Sequence, residues 1–415
     1  MIRISRFGWC GVALVLLAPW AVLLWILNSQ KPAADHTKPV HAPIPGEKTV
    51  TKTELVEGEV RSGPWGRLSY RRIAIEPPEE FIPANYVAVA PRWIFRSKTA
   101  GDLAALWTQA QLTPEQRAVL DDPSRQTASN DEIVIVPTNE LILGLSSHAR
   151  AKIYTALAEF QENAAQREPF RFRSETLDEW FEGSGLSEDI IALTKRLIYH
   201  RNGTAFFSDY DVILPRIAPA ERTLYLKALS RKSALLVTLH VDRDSDTDAL
   251  ARYWGRGRRA KDVKPLLQSL GRQSQSSAID IVHLVPRFAR SLLYTFPLPS
   301  DDADAANRDC HWTSFNFNKE QPDERFTDID FVKQTLLSDY YPVGGEPQLG
   351  DIIMFVQPGG VVVHSCVYIA DDIVFTKNGP SFAVPWQFSR LESVLSFYSI
   401  GDKPIETRRY RSRSS

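Results

Sequence analysis

The chain is poor in the residues that build disulfide or metal scaffolds. Three cysteines occur in 415 residues, and one of them, Cys10, lies inside an apolar N-terminal stretch. That excludes a disulfide-dense fold and leaves Cys310 and Cys366 to be explained individually. His148, His200, His240 and His283 are scattered, without the close spacing or carboxylate partners of a metal site, so no metal and no other cofactor is expected. An excess of charge is missing too. Lys and Arg total 49 against 50 Asp and Glu, which gives no electrostatic basis for nucleic acid as a partner. Self-similarity at a fixed period is absent, which excludes a repeat architecture.

What is present begins with a membrane signal. Arg3 and Arg6 precede an uncharged stretch from Phe7 to Leu27, close to the ~20 residues a helix needs to cross hydrocarbon. It reads as a signal anchor over residues 1–30, with a cleaved signal peptide as the alternative. Either places the body of the protein outside the cytoplasm, anchored in the membrane or secreted. Residues 31–58 are polar and carry Pro32, Pro39, Pro43 and Pro45, the composition of a linker.

Residues 59–294 read as a mostly helical domain with a few strands. Tyr86–Ala90 and Glu132–Val136 have strand character. Ser146 can cap a helix with Ile153, Leu157 and Phe160 on one face. Thr176 to His200 reads as two short helices broken near Gly183–Gly185. Pro219 opens another helix carrying Leu224, Leu226, Leu229, Leu235 and Leu236, and Thr247–Trp254 forms a further one. The basic run Arg256, Arg258, Arg259 and Lys261 reads as a solvated helix end, and Asn202-Gly203-Thr204 fits a glycosylation sequon. A last domain is placed at 295–402, followed by a basic, solvated tail at 403–415.

The chemistry concentrates in that last domain. A nucleophilic cysteine must become a thiolate, and a helix N-terminus favours the anion. Asp309 is a good N-cap, which puts Cys310 in the first turn of a helix and its N–H in position to help form an oxyanion hole. His364 opens the strand-like run His364-Ser365-Cys366-Val367-Tyr368-Ile369. Asp371-Asp372 makes a turn, and Ile373-Val374-Phe375-Thr376 returns antiparallel. Asn378, or alternatively Thr376, can orient the imidazole. His311 reads as a bystander, since adjacent helix residues do not face each other. Cys366 shares the face of His364 and either pairs with Cys310 in an oxidising compartment or is a small core residue.

In order, Asp309-Cys310, then Leu349-Gly350-Asp351, then His364 with Tyr368-Ile369, this segment resembles the NlpC-type branch of papain-like cysteine peptidases. The resemblance implies an α+β papain-like domain and a thiol hydrolase that cleaves an amide bond, most naturally in a cell-wall peptide. It implies Cys310 as nucleophile, His364 as base, and Asn378 or Thr376 as the third residue. His311-Trp312 departs from the small residues that usually follow the family's cysteine. Two other functions are compatible with the same residues: an acyltransferase using the same Cys–His pair, and a catalytically inactive membrane-anchored binding scaffold.

Overall fold

The computed structural model describes residues 57–414 except 83–88, 130, 175–176, 202, 274–275, 299–307, 382 and 399–403. The apolar stretch Phe7–Leu27, residues 31–56 of the linker, Asn202 of the sequon and most of the strand expected at 86–90 lie outside the described residues, while residues 57–58, expected in the linker, open the strand Glu57–Glu59. Among the described residues no helix is long and apolar enough to cross a membrane.

The capped and periodic segments fold as their residues dictate. Ser146 accepts the Ala149 N–H at the start of the helix Ser147–Leu157, whose Ile153, Tyr154 and Leu157 are buried. Pro219 stands at the first turn of Pro219–Ser230, where its missing N–H costs nothing. Asp246 caps Thr247–Trp254. Leu177–Trp180 and Glu188–Arg196 flank the Gly183–Gly185 break.

Three expectations about the middle region are corrected. Leu235 and Leu236 belong to the strand Lys232–Val241, beyond the end of the Pro219 helix. There Leu235, Val237, Leu239 and Val241 alternate inward with period two, the strand signature that a list of spaced leucines conceals. This strand pairs along its length with Arg67–Ile75, inside a four-stranded antiparallel sheet completed by Glu57–Glu59 and Ser277–Asp280. Two three-stranded sheets follow, one built from residues 93–96, 126–129 and 132–135, the other from 170–173, 199–201 and 204–207. The region is therefore mixed helix and sheet. Nor is the basic run a fully solvated end: Arg259 donates to the carbonyls of Leu284 (2.7 Å) and Trp254 (2.6 Å).

The C-terminal part is a six-stranded antiparallel sheet, in spatial order Tyr340–Pro342, Glu406–Ser412, Ile352–Gln357, Val361–Ala370, Ile373–Thr376 and Gln387–Arg390. Its second strand is the segment expected to be a solvated tail. The correction has a clear cause. Asp351 is buried after the Gly350 turn (φ +92°), and its carboxylate receives Arg411 Nε and Nη2, each at 2.7 Å.

A boundary at 295 does not separate two cores either. Leu235, Val237, Leu239 and Trp254 share one hydrophobic cluster with Trp312, Ile352, Val367 and Phe388. Tyr253 donates to Ile369 O (2.7 Å) and the Tyr294 backbone N–H to Trp386 O (2.7 Å) across that position. The four-stranded and six-stranded sheets thus belong to one packed unit. Two further cores stand apart, one around Trp93, Trp107 and Tyr154, the other around Phe172, Trp180 and Tyr225. Taken together the chain is of the α+β class, with antiparallel sheets and helices packed beside them.

Candidate active site around Cys310

Asp309 caps the helix Cys310–Asn316 as its sequence predicts. Its Oδ1 accepts the N–H groups of His311 (2.8 Å) and Trp312 (3.0 Å). All seven helical residues are buried. Trp312 and Phe315 anchor the helix in the shared core, and Trp386 Nε1 donates to Thr313 Oγ1 at 2.9 Å. Ser365, on the strand Val361–Ala370, ties helix to sheet: its Oγ lies 3.2 Å from Cys310 O, 3.1 Å from Ser314 Oγ and 2.9 Å from His311 Nδ1.

Strand parity then decides which side chains share the thiol's face. Ser365 points at the helix, so its neighbours His364 and Cys366 point the other way. The structure agrees. Cys366 packs in a separate cluster with Ile353, Phe355, Tyr368, Val374 and Val394. His364 stands over Phe355 and stacks on Tyr398, with ring centroids 4.3 Å apart and planes inclined by 20°. His364 Nε2 bonds to Thr376 Oγ1 at 3.0 Å, and Thr376 Oγ1 in turn reaches Asn378 Oδ1 at 3.1 Å. Thr376 is therefore the direct partner of His364 and Asn378 stands behind it, the reverse of the expected ranking. His364 Nδ1 is buried with no hydrogen-bond partner among the described residues. Among the described residues Cys310 Sγ is hydrogen-bonded to neither histidine: His364 Nε2 is engaged by Thr376, and His311 Nδ1 by Ser365. Cys310 and Cys366 are both free thiols.

The imidazole beside the thiol belongs to His311. A carboxylate oxygen of Asp309, Cys310 Sγ and a ring nitrogen of His311 lie within 4.8 Å of one another. Cys310 O can only accept, so Ser365 is the donor in that contact. In the tautomer whose Nδ1–H donates to Ser365 Oγ, the lone pair of neutral His311 is on Nε2. Facing away along the helix does not hold in its first turn, where the capped backbone lets both side chains gather beside Asp309.

Burial dominates the electrostatics. It pushes the Cys310 thiol well above its ordinary value, and the Asp309 carboxylate adds to the push. Burial also lowers His311 and, further, His364, whose charging is opposed by His311 as well. Lys377 is depressed to about 7 by burial, with the charges of Asp309 and Cys310 acting against the depression. The resting cluster is thus a neutral thiol beside a neutral imidazole, with Lys377 titrating near neutrality. Cys310 is 5% exposed. Two surface depressions of about 360 and 300 Å³ lie over the four-stranded sheet, lined by residues such as Arg67 and His240, and include no residue of this cluster.

The sequence therefore identifies Cys310 and its capped helix, and it places Thr376 and Asn378 beside His364. It misses Ser365, Lys377 and Tyr398, and it discounts His311. Strand parity was the available signal: counting inward from Ser365 rather than from His364 selects the other face. No family model, curated protein or solved structure matches the chain.

Proposed function

We propose that this chain is a thiol hydrolase that cleaves an amide bond with Cys310 as nucleophile and His311 as the base that takes its proton. The observation that carries the reading is the gathering of Cys310 Sγ, a His311 ring nitrogen and an Asp309 oxygen within 4.8 Å. Proton transfer from Sγ to imidazole gives a thiolate that attacks the substrate carbonyl. The imidazolium then returns the proton to the leaving amine, and water hydrolyses the acyl-enzyme. A helix bearing Cys310 packed on an antiparallel sheet is compatible with a papain-like domain, and such domains make a cell-wall peptide the first substrate class to test. The apolar stretch Phe7–Leu27 supports a membrane-held protein acting outside the cytoplasm.

The burial of the thiol favours a second reading, in which the domain is a binding scaffold without activity. The two part on one experiment. The full chain in detergent is incubated with peptidoglycan-derived peptides, alone and with an added amine acceptor, beside Cys310→Ser. Cys310-dependent release of a free carboxylate supports the hydrolase, and capture by the amine identifies an acyltransferase. No product from any peptide, with wild type and Cys310→Ser alike, rejects both in favour of the scaffold.

A further inference from the structure

Lys377 is a fully buried amine (0% exposed) whose hydrogen bonds are to carbonyls alone, Gly379 O at 2.5 Å and Ser381 O at 3.0 Å. Desolvating an ammonium costs several kcal/mol unless another charge compensates it, and no carboxylate forms a salt bridge with it among the described residues. Its position indicates what compensates it. The strands Val361–Ala370 and Ile373–Thr376 pair Val367 with Phe375 and Tyr368 with Val374. Continuing that register by two residues sets Lys377 opposite Ser365. Residues opposite each other in an antiparallel pair project to the same face, and Ser365 bonds Cys310 O on the helix side. A second marker agrees: Nζ lies 5.8 Å from the ring centroid of Trp386, which itself bonds Thr313 of the same helix.

We propose that Lys377 is the charge partner of Cys310, its ammonium holding the thiolate that forms when the thiol gives up its proton. This rests on Cys310 being the nucleophile and adds a charge that the proposed mechanism does not use. When the amine is neutral the step is a transfer within the pair: the S–H bond breaks, an N–H bond forms on Nζ, and no electron leaves the pair. The ionisable groups around the thiol are Asp309 and His311 on its own helix, Lys377 beyond the return strand, and Tyr398 on the following helix, which senses the Cys310 charge.

The test needs no substrate, so its failure is separable from failure of the hydrolase. The full chain is alkylated with a small haloacetamide across pH, and modification of Cys310 is followed by peptide mass spectrometry. Wild type should show a rate that rises through the Lys377 transition, well below the rise of an isolated buried thiol. Lys377→Met should lose that early rise and react at least about tenfold more slowly at neutral pH, the equivalent of one pKa unit. Lys377→Arg keeps a cation that does not titrate, so it should stay faster than the Met variant while losing the early inflection. A Met profile that superimposes on wild type, with the native circular dichroism retained, overturns the proposal. If the Met variant does not fold, an early inflection persisting in Lys377→Arg overturns it by assigning that transition to His311.

Discussion

His364 Nε2 and Thr376 Oγ1 meet at 3.0 Å, on the face of their strands opposite to Ser365, which bonds the Cys310 helix. The pair has the composition of a base and its orienting group, yet it stacks under Tyr398 instead of serving the thiol. If His311 is the base, as proposed, the two histidines are separable. His311→Ala should lower any Cys310-dependent turnover by about 10²–10⁴, the usual worth of a positioned acid–base group. His364→Phe should keep turnover within a few-fold and change melting temperature instead. Turnover abolished by His364→Phe in a folded variant, with His311→Ala active, would return the base to His364.

The Asp351–Arg411 ion pair predicts where the C-terminal strand gets its stability. Asp351 is almost wholly buried and Arg411 meets it with two parallel N–H bonds. Removing one partner of a buried pair leaves the other charge uncompensated, a loss of about 3–5 kcal/mol. Arg411→Met should therefore lower unfolding free energy by about that amount in urea titration, whereas Arg408→Met, on an exposed pair with Glu406, should leave it almost unchanged. Equal effects at the two positions would contradict the assignment.

Lys377 makes a prediction about pH. Its folded value lies near 7 against an ordinary 10.5, so between those limits the unfolded chain holds a proton that the folded chain does not. Stability from this group is complete above 10.5, rises with pH through the window, and is lost as pH falls toward 7. The cost near neutrality is on the order of 5 kcal/mol, partly offset by its two hydrogen bonds to carbonyls. Lys377→Met should thus be more stable than wild type near pH 7 by about 2 kcal/mol, with the advantage shrinking toward pH 10. Chemical denaturation at a series of pH values measures it, and an advantage that stays constant with pH would refute the depressed amine.

These relationships show what the sequence could and could not convey. Asp309, Ser146, Pro219 and Asp246 act within one helical turn, so cap and start signals near them are readable from neighbours alone. Glu406–Ser412 carries four charged residues in seven and reads as solvent-exposed; only the buried Asp351, more than fifty residues earlier, makes it a strand. Leu235 and Leu236 suit helix or strand, and pairing with Arg67–Ile75 decides between them. The site is legible only in part for a similar reason. Cys310 is identified by local chemistry, but whether His364 or Ser365 faces it depends on the register between a helix and a strand fifty residues apart.

Arg171 extends the argument from the middle region to the site. On the strand Phe170–Arg173, its guanidinium lies 4.0 Å from the Phe397 ring centroid and its Nη1 donates to Phe397 O. Burial lowers Arg171 to about 10, so the contact is well desolvated, where cation–π attraction is worth about 2 kcal/mol. Phe397 and Tyr398 are the last two residues of the helix Leu391–Tyr398, and Tyr398 covers His364. Arg171→Leu should therefore loosen that helix before it loosens the core, because Val394 alone of its side chains is fully buried in the sheet packing and local openings begin where burial is thinnest. Hydrogen exchange by mass spectrometry should show faster exchange over 391–398 and over the strand Val361–Ala370 near His364, with the Trp93–Trp107 core unchanged. Exchange that quickens everywhere would mean the contact supports the whole fold, and exchange that quickens nowhere would mean it holds nothing in place.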